Sequence, residues 1–574
     1  MTVRFYTTLS LLALIVFVAC QQNGGFRKKL KIRDTTHYTK EAYIEETLDS
    51  NLLNQFLAVN TNYDQYDEYI RNFYQKRGYH YAWINKDSLT EQAANFINMM
   101  KNDASYGIKD SSLINPQLQQ LTDSLLQSEA GLRIADTARP QLEVLLTAQF
   151  FAYGNKVWGG LTADSAKDLE WFIPRKKIDM ESLLDSVVRK KSNAFEEDEP
   201  VNRQYKLLRN ELKKLANLEA STKWDAVQIA QKATFKKGDS SQVIITVKNR
   251  LKALGDLAVN DSSSRFTPEL DSAVRSYQAR MGQKVDGIIK QTTVDALNVP
   301  LQQRIRQILV NMERSRWVPL EPTTDYILVN IPAFTMYVYD KGKLDWSCNV
   351  VVGKPGANTV VFSKDLRYVV FSPYWNVPPG ILAKEVLPGL KRSGSGYLAR
   401  QNMEIVGASG KVIPPGSINF SKYSGGNFPY IVRQRPGGRN SLGKVKFLFP
   451  NEYNIYLHDT PARYLFGENK RSFSHGCIRV AEPKHLAEWL LRKDSSWTEQ
   501  KIDDALNANK EKFVTVKEKV PVFIVYFTAF VDSKGKLNFR DDVYGHDTRL
   551  AATLFGSNEP KPARVDSSGS QEKY

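Results

Sequence analysis

Apolar residues change their spacing several times along the chain, and each change marks a different kind of element. From about residue 45 to 215 they recur at three- and four-residue intervals, the period of a helix with one buried face. Tyr66, Tyr69, Ile70, Phe73 and Tyr74 form one stripe that breaks at Gly78. Leu145, Leu146, Gln149, Phe150 and Tyr153 share one side of a helix predicted over 142–158. Such stripes read as core faces, and spacing alone shows no chemistry here. Between 238 and 299 the pattern predicts a compact three-helix unit. Val243, Val247, Leu251 and Leu254 end at Gly255; Leu270, Ala273, Val274 and Tyr277 follow; an Asp286-Gly287 turn precedes a short third helix. A linking helix over 301–317 is closed by Pro319 and Pro322. The period then drops to two. Residues 326–331, 334–339 and 346–352 read as strands, with a hairpin turn at Asp340-Lys341-Gly342-Lys343.

The fold class expected is multidomain α+β, and a length of 574 residues suits three or four domains. The predicted boundaries are a signal segment at 1–19, a tether at 20–44 and a helical domain at 45–235. The three-helix module follows at 236–300, the linking helix at 301–322, a mainly-β domain at 323–550 and a polar, disordered tail at 551–574. The acidic run Glu196-Glu197-Asp198-Glu199-Pro200 reads as a solvated loop. Within the β domain, residues 381–450 form a long insertion rich in Gly, Ser and basic residues, expected to act as a mobile cap.

A net charge of +17 favours anionic partners: nucleic acid, anionic lipid or a carboxylate-rich cell-wall polymer. Three cysteines, Cys20, Cys348 and Cys477, exclude a disulfide scaffold. Arg4 followed by an apolar run over 9–19 reads as a secretory signal, about half the length needed to span a bilayer. Phe17-Val18-Ala19-Cys20 resembles a bacterial lipobox, which implies lipidation at Cys20. The expected location is the periplasmic side of a Gram-negative membrane, the outer one favoured because no Asp follows Cys20. Secretion argues against a nucleic-acid partner.

The informative stretch for chemistry runs from Tyr456-Leu457-His458-Asp459 to Ser474-His475-Gly476-Cys477-Ile478-Arg479. A thiol is a strong nucleophile only as thiolate, and a histidine within reach can take its proton. His458 and His475 are both candidates. Gly476 carries no side chain, so backbone amides beside Cys477 can approach a substrate carbonyl and form an oxyanion hole. On spacing alone three readings stay open: a nucleophile, a buried structural cysteine, or a zinc site. The third lacks CxxC and HExxH spacing.

The segment SHGCIR, with His458 fifteen intervening residues upstream, resembles the L,D-transpeptidase (YkuD-type) catalytic signature. Val350-Val351-Val352-Gly353-Lys354 and Pro373-Tyr374-Trp375-Asn376-Val377-Pro378-Pro379 add to the likeness. At Thr359-Val360-Val361-Phe362 the proline usual after the threonine is absent. Leu254-Gly255-Asp256, Ala273-Val274, Tyr277-Gln278 and Asp286-Gly287 resemble a peptidoglycan-binding type 1 module, with Lys290 where glycine is commoner. The helical region resembles the scaffold domain of the large periplasmic members.

This resemblance implies a cysteine acyltransferase that makes 3→3 peptidoglycan cross-links on tetrapeptide stems. Cys477 is then the nucleophile, His458 the general base and acid, and His475 a residue shaping the pocket. The Gly476 and Cys477 amides, with the Tyr456 hydroxyl, are candidate oxyanion donors; Arg479, Ser474 and Trp375 are candidates for holding substrate. No metal or cofactor is implied, and the chain is expected to be a monomer. Acylation of Cys477 by carbapenems follows from the same resemblance. Alternatives are an L,D-carboxypeptidase on the same site, a zinc amidase bearing the same module, and a non-catalytic wall-binding lipoprotein.

Overall fold

A computed structural model describes residues 44–105, 114–127, 133–175, 177–190, 199–320 and 322–556. The signal segment, Cys20, the tether up to residue 43, the acidic residues 196–198 and the tail from 557 lie outside the described residues. The described residues divide into two compact units. Among them, the first draws on residues within 44–95, 116–149 and 184–190; the second on residues within 96–115, 150–183 and 199–556.

The first unit is helical, with helices Ser50–Val59 and Asp67–Lys76 and a short hairpin of β1 (Ile84–Asn85) and β2 (Ser88–Leu89). Ile70, Phe73 and Tyr74 are buried as the stripe predicts. Tyr69, at the edge of that stripe, is instead 46% exposed. The fully buried Glu143 carboxylate accepts the backbone N–H of Ala82 at 2.6 Å and of Trp83 at 3.0 Å, and the Tyr74 hydroxyl at 3.1 Å. A buried carboxylate needs such donors. Here they pin the backbone that leaves the aromatic helix.

In the second unit the predicted module forms from helices Gln242–Ala253, Pro268–Arg280 and Gln291–Asn298. Its core is Ile244, Val247, Leu251, Leu270, Val274, Tyr277, Val294 and Leu297. The linking helix spans Leu301–Arg316 and packs along helix Arg203–Ser221.

The β domain is built on a ten-stranded sheet. After β3 (Trp171–Phe172) come β4 (Tyr326–Asn330), β5 (Thr335–Asp340) and β6 (Lys343–Gly353), the last two joined by the predicted hairpin. Next are β7 (Val361–Phe371) and a short β8 (Trp375–Asn376). In the insertion lie β9 (Met403–Val406) and β10 (Ile431–Gln434). The main sheet resumes with β11 (Val445–Leu448), β12 (Leu457–His458), β13 (Ser472–Ser474), β14 (Ile478–Val480) and β15 (Lys512–Val525). Pairing runs β11-β12-β14-β6-β5-β4-β15-β7, and β11 also pairs β7, so the strands close into a ring. Closure leaves those strands no free edge. A hairpin of β16 (Ala529–Val531) and β17 (Leu537–Phe539) follows, then helix His546–Phe555. That helix runs into the stretch expected as a disordered tail, because its buried Leu550 packs into the main core.

The insertion is a folded subdomain with its own core and not an open loop. Strands β8, β10 and β9 make a three-stranded sheet. Leu382, Val386, Leu387, Leu390, Ile405 and Val432 are buried behind it. Basic residues expected to hold anionic stems are partly spent internally: the Glu404 carboxylate accepts Arg433 Nε and Arg435 Nε, each at 2.7 Å.

Candidate active site

Strands β12 and β14 run parallel, with Leu457 opposite Ile478 and His458 opposite Arg479. Leu457, Ile478 and Val480 belong to the barrel core. Side chains alternate along a strand, so Tyr456, His458, Cys477 and Arg479 all fall on the other face. The core pattern therefore brings the thiol and the imidazole to one surface on adjoining strands.

The two groups are not hydrogen-bonded to each other. The Cys477 thiol donates to the Asn454 carbonyl at 3.5 Å, and the half-buried Tyr456, through its hydroxyl and backbone N–H, is its other partner. His458 is buried, and its Nδ1–H donates to the Asp459 carbonyl at 2.6 Å. That bond sets the tautomer and leaves Nε2 as the basic nitrogen. Tyr456 and His458 stand edge to face, ring centres 5.7 Å apart.

Burial dominates the electrostatics. It pushes His458 down to about 3, helped by the charge of Arg479 and opposed by the Asp459 carbonyl. It raises the Cys477 thiol, against the Tyr456 hydrogen bonds and the Arg479 charge. The resting pair is thus a neutral thiol beside a neutral imidazole, not the ion pair that the sequence suggested. Cys348, on β6, is pushed up to about 11 by burial. Arg479 keeps its Nε buried without a hydrogen-bond partner.

The turn before the cysteine is tightly braced. Ser474 Oγ donates to the Cys477 carbonyl at 2.6 Å and accepts the Gly476 N–H at 3.2 Å. The Gly476 amide, expected as an oxyanion donor, is therefore engaged, while the Cys477 N–H carries no hydrogen bond among the described residues. Ser474, expected to hold substrate, is 3% exposed and inside the turn. His475 is 48% exposed, its Nε2 3.7 Å from Glu385 Oε1 in the insertion. Trp375, a candidate groove wall, packs against the core of the insertion. Asn454, Glu385, Thr359 and Tyr544 were not read as site residues. Thr359 carried a signal only as the first residue of Thr359-Val360-Val361-Phe362, where the sequence departs from the family pattern.

Comparisons with known proteins match three segments of the chain. Residues 324–522 match the L,D-transpeptidase catalytic domain (YkuD), residues 68–212 the scaffold domain, and residues 240–297 the family described as "Putative peptidoglycan binding domain". A Haemophilus influenzae protein named "Putative L,D-transpeptidase" is 34% identical over 245 residues, 43% of this chain and 49% of its own length. The chain thus spans about half the length of this curated relative. Among solved structures, an L,D-transpeptidase from Xylanimonas cellulosilytica is 12% identical with a TM-score of 0.17; the alignment covers 52% of this chain and 100% of that one. One from Stackebrandtia nassauensis is 12% identical with a TM-score of 0.21, covering 52% and 97%. Scores this low carry no weight beside the domain matches. By those matches, the chain is similar in turn to a scaffold domain, a peptidoglycan-binding domain and an L,D-transpeptidase (YkuD) catalytic domain.

Proposed function

We propose that the protein is an L,D-transpeptidase that forms 3→3 cross-links through a thioester on Cys477. The observation that carries this reading is the shared face of Cys477 and His458 on adjoining strands of a YkuD-family domain. The reaction would start with transfer of the thiol proton to His458 Nε2. The sulfur attacks the carbonyl of the third stem residue, a diamino acid, and the oxyanion forms beside the Cys477 N–H and the Tyr456 hydroxyl. The C–N bond to the terminal D-Ala breaks, and His458 returns its proton to the leaving amine. The side-chain amine of a second stem then attacks the thioester and releases the thiolate, which regains a proton.

Arg479 explains how a neutral pair could become reactive. Its guanidinium faces the imidazole from the opposing strand and disfavours a second positive charge there. A stem carboxylate bound to Arg479 would offset that charge and let His458 accept the thiol proton. The peptidoglycan-binding domain would hold the polymer near the site. We also propose a lipid on Cys20 that tethers the chain to the periplasmic side of the outer membrane; a diacylglyceryl mass on the Cys20 peptide is the expected observation.

The test is incubation of the full chain with purified disaccharide-tetrapeptide, followed by mass analysis. Cross-linked dimer and free D-Ala support the transpeptidase, with both absent in Cys477→Ala. Tripeptide without dimer, at excess acceptor, supports the carboxypeptidase. Product in Cys477→Ala overturns the cysteine mechanism.

A further inference from the structure

We propose that Thr359 and Tyr544 are positioning residues that aim the Cys477 backbone N–H, so that chain beyond the matched catalytic domain completes the active site. The inference rests on the acyl-transfer reading above.

Thr359 is fully buried. Its Oγ1 accepts the Gly353 N–H at 2.9 Å and donates to the Gly476 carbonyl at 2.8 Å. A hydroxyl has a single proton. The Gly353 donor therefore commits that proton to Gly476. The peptide between Gly476 and Cys477 is planar and trans, so its C=O and N–H point in opposite directions. A carbonyl held by Thr359 directs the Cys477 N–H away from Thr359, and that N–H has no acceptor among the described residues. It is the donor next to the nucleophilic sulfur. Gly476 reaches this orientation at φ +116°, a conformation closed to other residues.

The threonine is itself held from two sides. A Cβ on Gly353 would lie 2.1 Å from the Ala357 carbonyl oxygen and 2.8 Å from the Thr359 nitrogen, so only glycine admits the loop this close to β6. On the other side, the Tyr544 hydroxyl donates to the Gly353 carbonyl at 2.5 Å and accepts the Thr359 N–H at 3.3 Å. The Tyr544 N–H donates to the Tyr526 hydroxyl at 2.8 Å, which donates to Asp542 Oδ1 at 2.7 Å. Tyr526, Asp542 and Tyr544 all lie beyond residue 522, where the family match ends. The hydrogen bonds run without a gap from Asp542 to the peptide beside the nucleophile.

The experiment uses full-length wild type, Thr359→Val, Thr359→Ser and Tyr544→Phe, with two rates. One is acyl transfer from disaccharide-tetrapeptide, resolved into kcat and KM. The other is alkylation of Cys477 by iodoacetamide across pH, a displacement that develops no oxyanion. Loss of one oxyanion donor slows turnover by about 10²-fold. Thr359→Val is expected to lower kcat by about that factor with KM unchanged, and Thr359→Ser to restore it to within about threefold. Tyr544→Phe is expected to lower kcat by about tenfold. Alkylation rate and pH profile stay as in wild type. Unchanged kcat in Thr359→Val, or alkylation that falls by the same factor as kcat, overturns the assignment. Should Thr359→Val fail to fold, Tyr544→Phe decides alone on the same two rates. A wild type that releases no D-Ala removes the acyl-transfer reading and this assignment with it; an active wild type with unaffected variants removes only the assignment.

Discussion

Two turns in the same compact unit are each built on a glycine at positive φ, Gly287 at +72° and Gly476 at +116°, and they treat their polar groups in opposite ways. At the first, the buried Gln278 side chain satisfies the whole turn. Its Oε1 accepts the N–H of Asp286 at 3.1 Å and of Gly287 at 2.9 Å. Its Nε2 donates to Asp286 Oδ1 at 2.9 Å and to the Ile288 carbonyl at 3.1 Å. Lys290, at the position where glycine is commoner, adds an ion pair to Asp286 at 2.7 Å. At the second, Ser474 braces the backbone. The Cys477 N–H, the Arg479 Nε and the basic nitrogen of His458 are nonetheless left without partners among the described residues. Unsatisfied polar groups cost stability and are retained where a ligand completes them. The first turn is satisfied within its own fold, and the second leaves open the polar groups that the proposed chemistry would use.

This contrast can be broken at either turn. The largest effect is expected at the nucleophile. Cys477→Ala should lower product formation by about 10⁴-fold or more while shifting the melting temperature by no more than about 2 °C. Product mass analysis beside calorimetry checks both halves.

Next is the acid sensitivity of the imidazole. His458 is held at about 3 when folded, against 6.5 when exposed. Between those values the unfolded chain binds the extra proton. The contribution of His458 to stability is therefore full above pH 6.5 and is lost as pH falls towards 3, at about 1.4 kcal/mol per unit. Wild type should lose about 2–3 kcal/mol more than His458→Gln between pH 7 and 4.5 in denaturant titrations. Parallel curves for the two proteins would contradict the buried neutral imidazole.

At the satisfied turn, Gln278→Ala strands several buried partners and should destabilise the protein by about 2–4 kcal/mol. Turnover of a soluble tetrapeptide should be unaffected at temperatures below melting. A loss of turnover without a loss of stability would erase the distinction between the two turns. Smallest is Arg479→Gln, which should raise KM for the stem by about tenfold. It should also move the acid limb of the pH–rate profile upward, because the charge that depresses His458 is gone.

How legible each part was depended on sequence separation. The module was readable because its helices and turn are local, and Gln278 and Asp286 sit in one short stretch. Cys477 and His458 were readable as a spaced motif, and Tyr456 followed from the two-residue period. The core of the insertion was not legible, because its Gly, Ser and Arg content hid a core assembled from separated segments. Arg433 and Arg435 looked like free cations, since Glu404, their partner, lies about thirty residues away on a paired strand.

Local pattern alone determined the helical and sheet regions, the module, and the residue types able to do acyl-transfer chemistry, since periodicity and motif spacing act over a few residues. Tertiary structure decided the state of the site. Burial made the thiol and imidazole neutral, because desolvation depends on what the rest of the chain places around them. It also brought Thr359 to Gly476 across 117 residues of chain and Tyr544 to Thr359 across 185, contacts that no local pattern encodes.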